Sequence, residues 1–334
     1  PWSGGLASTH QDLAKIRHFT PQRSIMHLHS PWSHDACDGE PLVNGEPNRD
    51  CLQDLRTALC QTKIDVAFLS DHPAHAADRS FEQLFHAQPE DERIERNGQL
   101  IATRITCNDG HRVLWRAGIE DDLMPLGLHA HTAPGDEAES HRLYGKADLE
   151  SITAHANAGA FVSMAHTEGK PIEQLTELTE AGLNGVELFN LHAMFDPRKR
   201  SENLGLDPLG WVTDIAPFTS PDGTAEPDLF FIAVLQEQTI SIQHWDQLQS
   251  IAPVVGFAGT DAHQNVLPMD LRDGERGDSY RRMLRWFSNH LLIPTSETPP
   301  SPEATDNALK EGRLYTAFEI FGSPSGLDFH LLRD

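Results

Sequence analysis

The pairs His27-Leu28-His29 and Asp261-Ala262-His263, with Asp71-His72, Glu120 and His166, are the residues of this chain best suited to chemistry. Imidazole nitrogens and carboxylate oxygens without sulfur favour Zn²⁺, Mn²⁺ or Fe²⁺. Residues two apart on a strand project to one face, so His27 with His29, and Asp261 with His263, are spaced to share an ion. Asp35 follows His29 closely enough for a turn to return its carboxylate to the pair, although Asp38 offers a competing one. Five imidazoles (His27, His29, His72, His166, His263) and three carboxylates (Asp35, Glu120, Asp261) are too many for one ion. They suit two or three divalent ions with shared carboxylates. Such a set activates water and offsets anionic charge, which is the chemistry of hydrolysis.

Each cluster must be positioned by the element before it, and each ends an apolar run. The strand candidates are residues 24–29, 65–70, 115–120, 124–131, 160–165, 184–189 and 252–259. Helical patterns over 51–62, 146–158 and 172–181 lie between them, the last stopped by Gly182. Alternating strands and helices predict an α/β fold with parallel strands, and functional residues at many strand ends predict a β/α barrel. Two insertions interrupt the pattern. Residues 73–117 include a charged run and a hairpin around Asn108-Asp109-Gly110, placed at the barrel rim, and residues 204–228 form a Pro/Gly/Asp-rich loop. The expected organisation is an N-terminal segment (1–20), a barrel (21–294) and a C-terminal extension (295–334) packed on it. Within the extension, 304–312 is expected as helix and 313–318 and 326–332 as strands.

The motifs His27-x-His29-Ser30-x-x-Ser33-x-Asp35, Ser70-Asp71-His72, Gly118-x-Glu120, Ala165-His166 and Gly259-Thr260-Asp261-Ala262-His263, in that order, resemble the PHP (polymerase and histidinol phosphatase) family. Gly185-Val186-Glu187-Leu188-Phe189-Asn190 is also similar to a segment of it. The resemblance implies a distorted (β/α)7 TIM-like barrel holding up to three metal ions, and hydrolysis, most often of phosphate esters. It implies that His27, His29, Glu120 and Asp261 hold one ion and its bridge, that Asp35, His72 and His263 complete its neighbour, and that His166 serves a third. The family has a further histidine after the Glu120 strand. His129 and His131 are both available for it, His129 as a candidate ligand and His131 as a candidate catalytic residue. Thr167 follows His166 where the family commonly has proline. The tail from Ala308 to Tyr315 is similar to a secreted-type branch that includes relatives of carbaryl hydrolase. That branch keeps carbamate, amide or carboxylic ester hydrolysis open beside phosphoester hydrolysis. A non-catalytic metal-binding module is the remaining alternative.

Asp71 is expected to orient a ligand, and Glu187 and Asn190 to support the site. His34, His75, His86, His155, His192, His244 and His290 are expected at the surface or behind the ligands. Arg79, Lys170 and Arg198-Lys199-Arg200 are candidate contacts for a phosphate. The formal net charge of −24 repels nucleic acid, so the expected partner is a small-molecule substrate. No apolar run is long enough to span a membrane. No signal peptide is visible, which says little for a chain beginning at Pro1. Of the four cysteines, Cys51 and Cys60 bracket a helical stretch rising about 13.5 Å, too far for a disulfide. Cys37–Cys51 is the most natural pair, leaving Cys60–Cys107. Two disulfides predict a periplasmic or secreted protein; the alternative is four reduced cysteines in the cytoplasm.

Overall fold

The structure is a computed structural model and describes residues 9, 11–324, 327 and 328. In chain order the elements are β1 (Phe19–Leu28), β2 (Leu42–Val43), β3 (Glu46–Pro47), α1 (Arg49–Gln61), β4 (Val66–Phe68), α2 (Pro73–Ala76), β5 (Glu92–Arg96), β6 (Gln99–Thr106), β7 (Arg112–Arg116) and β8 (Met124–Leu126). There follow α3 (Glu137–Tyr144), α4 (Leu149–Asn157), β9 (Phe161–Met164), α5 (Ile172–Glu180), β10 (Gly185–Asn190), α6 (Ala216–Thr219), α7 (Thr239–Leu248), β11 (Val255–Ala262), α8 (Tyr280–Leu284), β12 (Ser288–Pro294), α9 (Pro302–Lys310) and β13 (Leu314–Ala317).

Local chemistry sets these boundaries. Asn48 caps α1 by accepting the Cys51 N–H, and Leu55 and Leu59 on its inner face are fully buried. Asp148 caps α4 in the same way through Ser151. Such caps contribute about 1 kcal/mol each. β4 is a short, wholly buried run, as expected of a central parallel strand.

The main sheet runs β5-β6-β7-β4-β1-β11-β10-β9-β8, and β12 pairs with both β1 and β13. Neighbours from β7 through β9 are parallel. The expected (β/α)7 barrel is therefore corrected to an open, mixed, mostly parallel sheet of eleven strands with flanking helices. One reason lies between β7 and β8. A parallel crossover takes about a dozen residues or more, usually with a helix, whereas residues 117–123 only reverse the chain. β8 consequently pairs antiparallel with β9. A lone bridge between Gly118 and Leu126 joins its other side to the segment after β7, with no ladder closing the sheet. The second reason is the supposed rim hairpin. Its strand β7 is a member of the parallel sheet, while β6 and the charged run β5 extend that sheet antiparallel.

Tail elements α9 and β13 form near the expected positions, while the expected strand at 326–332 lies outside the described residues apart from 327 and 328. Ala304, Ala308 and Leu309 of α9 pack with Met26, Phe68 and Phe257 on one side of the sheet. The larger core, including Leu55, Leu59, Trp115 and Leu175, lies under the flanking helices. Two disulfides, Cys37–Cys51 and Cys60–Cys107, have Cα separations of 5.9 and 5.6 Å.

Candidate metal centre

The parallel strands β1, β4, β7, β9, β10 and β11 end on one edge of the sheet, and their carboxyl ends deliver the titratable residues. In open α/β sheets this edge is where ligands bind. His27 lies in β1 and His29 just beyond it. Asp71-His72 follows β4, Glu120 follows β7, and His166 follows β9. Asp261 lies in β11, with His263 after it. Their ligand atoms form overlapping groups: His29, Asp35, His72 and His263; His27, Glu120 and His166; and His27, His29 and Asp261. Asp261 Oδ1 stands 3.1 Å from His27 Nε2 and 3.2 Å from His29 Nε2. Asp35 Oδ2 is 3.3 Å from His263 Nε2 and 3.6 Å from His72 Nε2. The competing Asp38 is instead held by Arg276.

Three of the residues have unusual backbones. His27, His166 and Asp261 sit at φ of 68°, 53° and 52°, a left-handed conformation that costs about 1–3 kcal/mol each and collects at functional sites. At His27 it interrupts the β1–β11 register between Met26 and Leu28. The His27/His29 pair thus converges through a kinked strand end rather than through regular alternation.

The space has the character of a cation site. Nε2 of His27, His29 and His263 is buried without a hydrogen bond. Meanwhile Nδ1 of His27 meets Glu187 Oε1 (2.8 Å), that of His29 meets Ser33 Oγ (2.7 Å), that of His72 meets the Glu120 carbonyl (2.9 Å), and that of His263 meets the Asp261 carbonyl (2.8 Å). Ligating histidines are ordinarily oriented by such contacts on the second nitrogen. Glu187 also accepts from His166 N–H (2.9 Å) and Asn190 Nδ2 (3.1 Å), and Asn190 reaches Asp261 Oδ2 (3.1 Å). Glu187 and Asn190 are thus hydrogen-bonded to His27, His166 and Asp261. Asp71 accepts from Ser30 N and Oγ at 2.6 and 2.7 Å, which ties it to the loop that carries His29 and Asp35.

Electrostatics agree. Burial opposes charge on His72, yet Asp35 and Glu120 outweigh it and raise the imidazole to about 12. Burial is likewise overcome at His27 by Asp261 and Glu187, which raise it well above its usual value. His29 falls to about 4, chiefly through burial. Asp35, Glu120 and Asp261 resist burial and stay below the ordinary carboxylate range because histidines surround them.

His129 and His131 do not join the cluster. His129 Nε2 contacts Asp306 (3.0 Å) and its Nδ1 contacts Arg96 (3.1 Å), while His131 lies between the Tyr144 hydroxyl and the Arg79 carbonyl. β8 turns away at Gly127 before reaching them. The histidine that does arrive is His192, placed with Asp261 and His263 and 3.4 Å from Asp261 Oδ2. Its signal was present as Asn190-Leu191-His192, another polar pair two residues apart at a strand end.

Among the proposed cationic contacts, Arg200 is buried against the Met194 and Asp207 carbonyls, Lys170 pairs with Asp122, and Arg79 stacks on Trp32. Lys199 approaches His166. A further acidic group, Asp228, Asp273 and Glu275, is bound by Arg281 and Arg282. Among the described residues, no helix is long and apolar enough to cross a membrane.

No protein-family model and no curated protein matches the chain. Among solved structures it is similar to PsfC from Pseudomonas syringae PB-5123, at 10% identity and a TM-score of 0.46, over 89% of this chain and 91% of that one. A likeness this remote supports no statement about fold or function.

Proposed function

We propose that the protein is a metal-dependent hydrolase, most suited to small phosphate esters, with a centre of the kind that its PHP-like motifs imply. The observation that carries the reading is the set of three buried, unbonded Nε2 atoms on His27, His29 and His263, facing the carboxylates of Asp35 and Asp261. Burying unpaired polar nitrogens is costly, and a divalent ion of the Zn²⁺, Mn²⁺ or Fe²⁺ type would satisfy them.

His29, Asp35, His72 and His263 would hold one ion, and His27, Glu120 and His166 another, with Asp261 shared between groups. His192 would join on the Asp261 side. When bound, such ions make water nucleophilic near neutral pH and offset charge on phosphoryl oxygens. The protein's contribution is orientation. Glu187, Ser33 and the carbonyls of Glu120 and Asp261 hold the rings, while burial keeps bulk water from competing. Compatible with the two disulfides, we place the protein in the periplasm or outside the cell.

The test is turnover of p-nitrophenyl phosphate, bis-p-nitrophenyl phosphate and p-nitrophenyl carboxylic esters and carbamates after reconstitution with Zn²⁺, Mn²⁺ or Fe²⁺. Phosphate hydrolysis that is lost in His72→Ala and Asp261→Ala, with the fold retained, supports the reading. Turnover of carbon esters alone replaces phosphoesterase with esterase. Failure to take up any metal refutes the centre.

A further inference from the structure

Four of the five histidines first read as ligands present Nδ1 to an oxygen. His166 does not. Its Nδ1 lies 2.6 Å from the ammonium of Lys199. Its Nε2 faces the cluster, 3.8 Å from Glu120 Oε1 and 3.4 Å from Asp261 Oδ2. An imidazole that gives its Nε2 lone pair to an ion carries its proton on Nδ1 and needs an acceptor there. An ammonium has no lone pair to accept it.

The acceptor is close by. Glu168 is 3% exposed, and neither carboxylate oxygen has a hydrogen-bond partner. Oε1 stands 3.4 Å from His166 Nδ1 and 4.0 Å from Lys199 Nζ. A buried carboxylate without donors is among the more expensive arrangements in a protein. Here both missing donors stand within one small adjustment.

On the metal-centre reading above, we propose that Glu168 and Lys199 form a latch behind His166 that sets the affinity of the position built by His27, Glu120 and His166. With the ion absent, Lys199 occupies the Nδ1 side of the ring. With the ion present, Lys199 swings to one oxygen of Glu168, and His166 Nδ1–H donates to the other. The swing is confined to the side chain, because Asp196 Oδ1 fixes the local backbone by accepting from Arg198 N (2.8 Å) and Lys199 N (3.2 Å). Glu168 favours the loaded state and Lys199 the empty one. Among the described residues, the rings of the His29, Asp35, His72 and His263 position have oxygen rather than a cation at Nδ1, so that position holds its ion more firmly. The His166 position is the exchangeable one, and Glu168 and Lys199 are positioning residues that act through His166.

The experiment is calorimetric Zn²⁺ titration of the full chain after chelator treatment, for the native protein, Glu168→Gln and Lys199→Met. The native protein is expected to show a tighter and a weaker class of site. Glu168→Gln should weaken the weaker class by about 10- to 100-fold, the usual cost of losing an orienting partner. Lys199→Met should tighten it, and the tighter class should stay unchanged in both. The partly exposed Lys199 variant keeps the test informative if Glu168→Gln does not fold. Native protein that binds Zn²⁺ in two classes, with neither variant shifting the weaker one, overturns the latch and leaves the centre intact. A Lys199→Met protein that binds more weakly overturns it as well. Absence of Zn²⁺ binding in the native protein overturns the centre and the latch together.

Discussion

The sharpest test of how the site is held is Gly259→Ala. Gly259 lies in β11, beside β1 and β10. A Cβ there would fall 1.7 Å from Glu187 Oε1 and 2.9 Å from His27 Cβ. Ordinary carbon contacts lie at about 3.5–4.0 Å, so the Glu187 carboxylate must retreat by well over an ångström. Retreat breaks its contacts to His27 Nδ1, His166 N and Asn190 Nδ2, which stand at 2.8, 2.9 and 3.1 Å. Hydrogen bonds to charged groups contribute about 1.5–3 kcal/mol each. Partial relaxation recovers some of the sum, giving an expected destabilisation of about 3–5 kcal/mol, at the high end for one substitution. Losing the partner that orients His27 should weaken metal binding by about 10- to 100-fold. Urea unfolding of the chelated protein reads the first quantity and Zn²⁺ titration the second. A variant within about 1 kcal/mol of the native protein, binding Zn²⁺ equally well, would refute the claim that Glu187 holds these rings.

Substituting His192→Ala should lower metal stoichiometry or affinity on the Asp261 side, whereas His131→Ala should leave Zn²⁺ binding unchanged; plasma-emission analysis after dialysis separates them. Removing Cys37–Cys51 by paired serine substitution should cost about 3 kcal/mol by loop entropy and also loosen the Asp35 turn, whereas removing Cys60–Cys107 should cost about 4 kcal/mol with metal affinity intact. Equal Zn²⁺ affinities in the two variants would count against the coupling. Metal loading should release protons, because His27 and His72 have raised pKa values, against burial, through neighbouring carboxylates. Each must become neutral to bind, so apparent affinity falls as pH falls. Calorimetry in two buffers of different ionisation enthalpy should show this release, and identical heats would contradict it.

The cluster was legible because its members sit in pairs and at the ends of apolar runs, and the topology of parallel strands brings such ends together. That logic placed His27, His29, Asp35, His72, Glu120, His166, Asp261 and His263 near one another. It failed where the chain stops obeying it. His129 and His131 were counted as strand-end residues, but β8 is antiparallel and ends at Leu126. His192, expected at the surface or behind the ligands, follows a strand that ends in Asn190 rather than in a ligand. The barrel expectation took strand–helix alternation as sufficient for closure. The brevity of residues 117–123 and the charged edge strand Glu92–Arg96 argued otherwise, and both were visible in the sequence. The Glu187 contacts and the left-handed backbones of His27, His166 and Asp261 depend on non-local packing that no local pattern encodes.

Strand β1 has a consequence for the birth of the molecule. Residues 19–24 pair with β12, and Met26 and Leu28 pair with β11, both more than two hundred residues downstream. A ribosome that has released the chain only as far as β9 has released His27 and His29 but none of these partners. The β1 end of the site therefore takes its final pairing only after β11 and β12 have been made. The two disulfides are compatible with that docking taking place in an oxidising compartment. Transition metals compete for nitrogen–oxygen sites largely according to supply. If the proposed metal centre forms, the compartment in which β12 docks would set which ion is on offer to it.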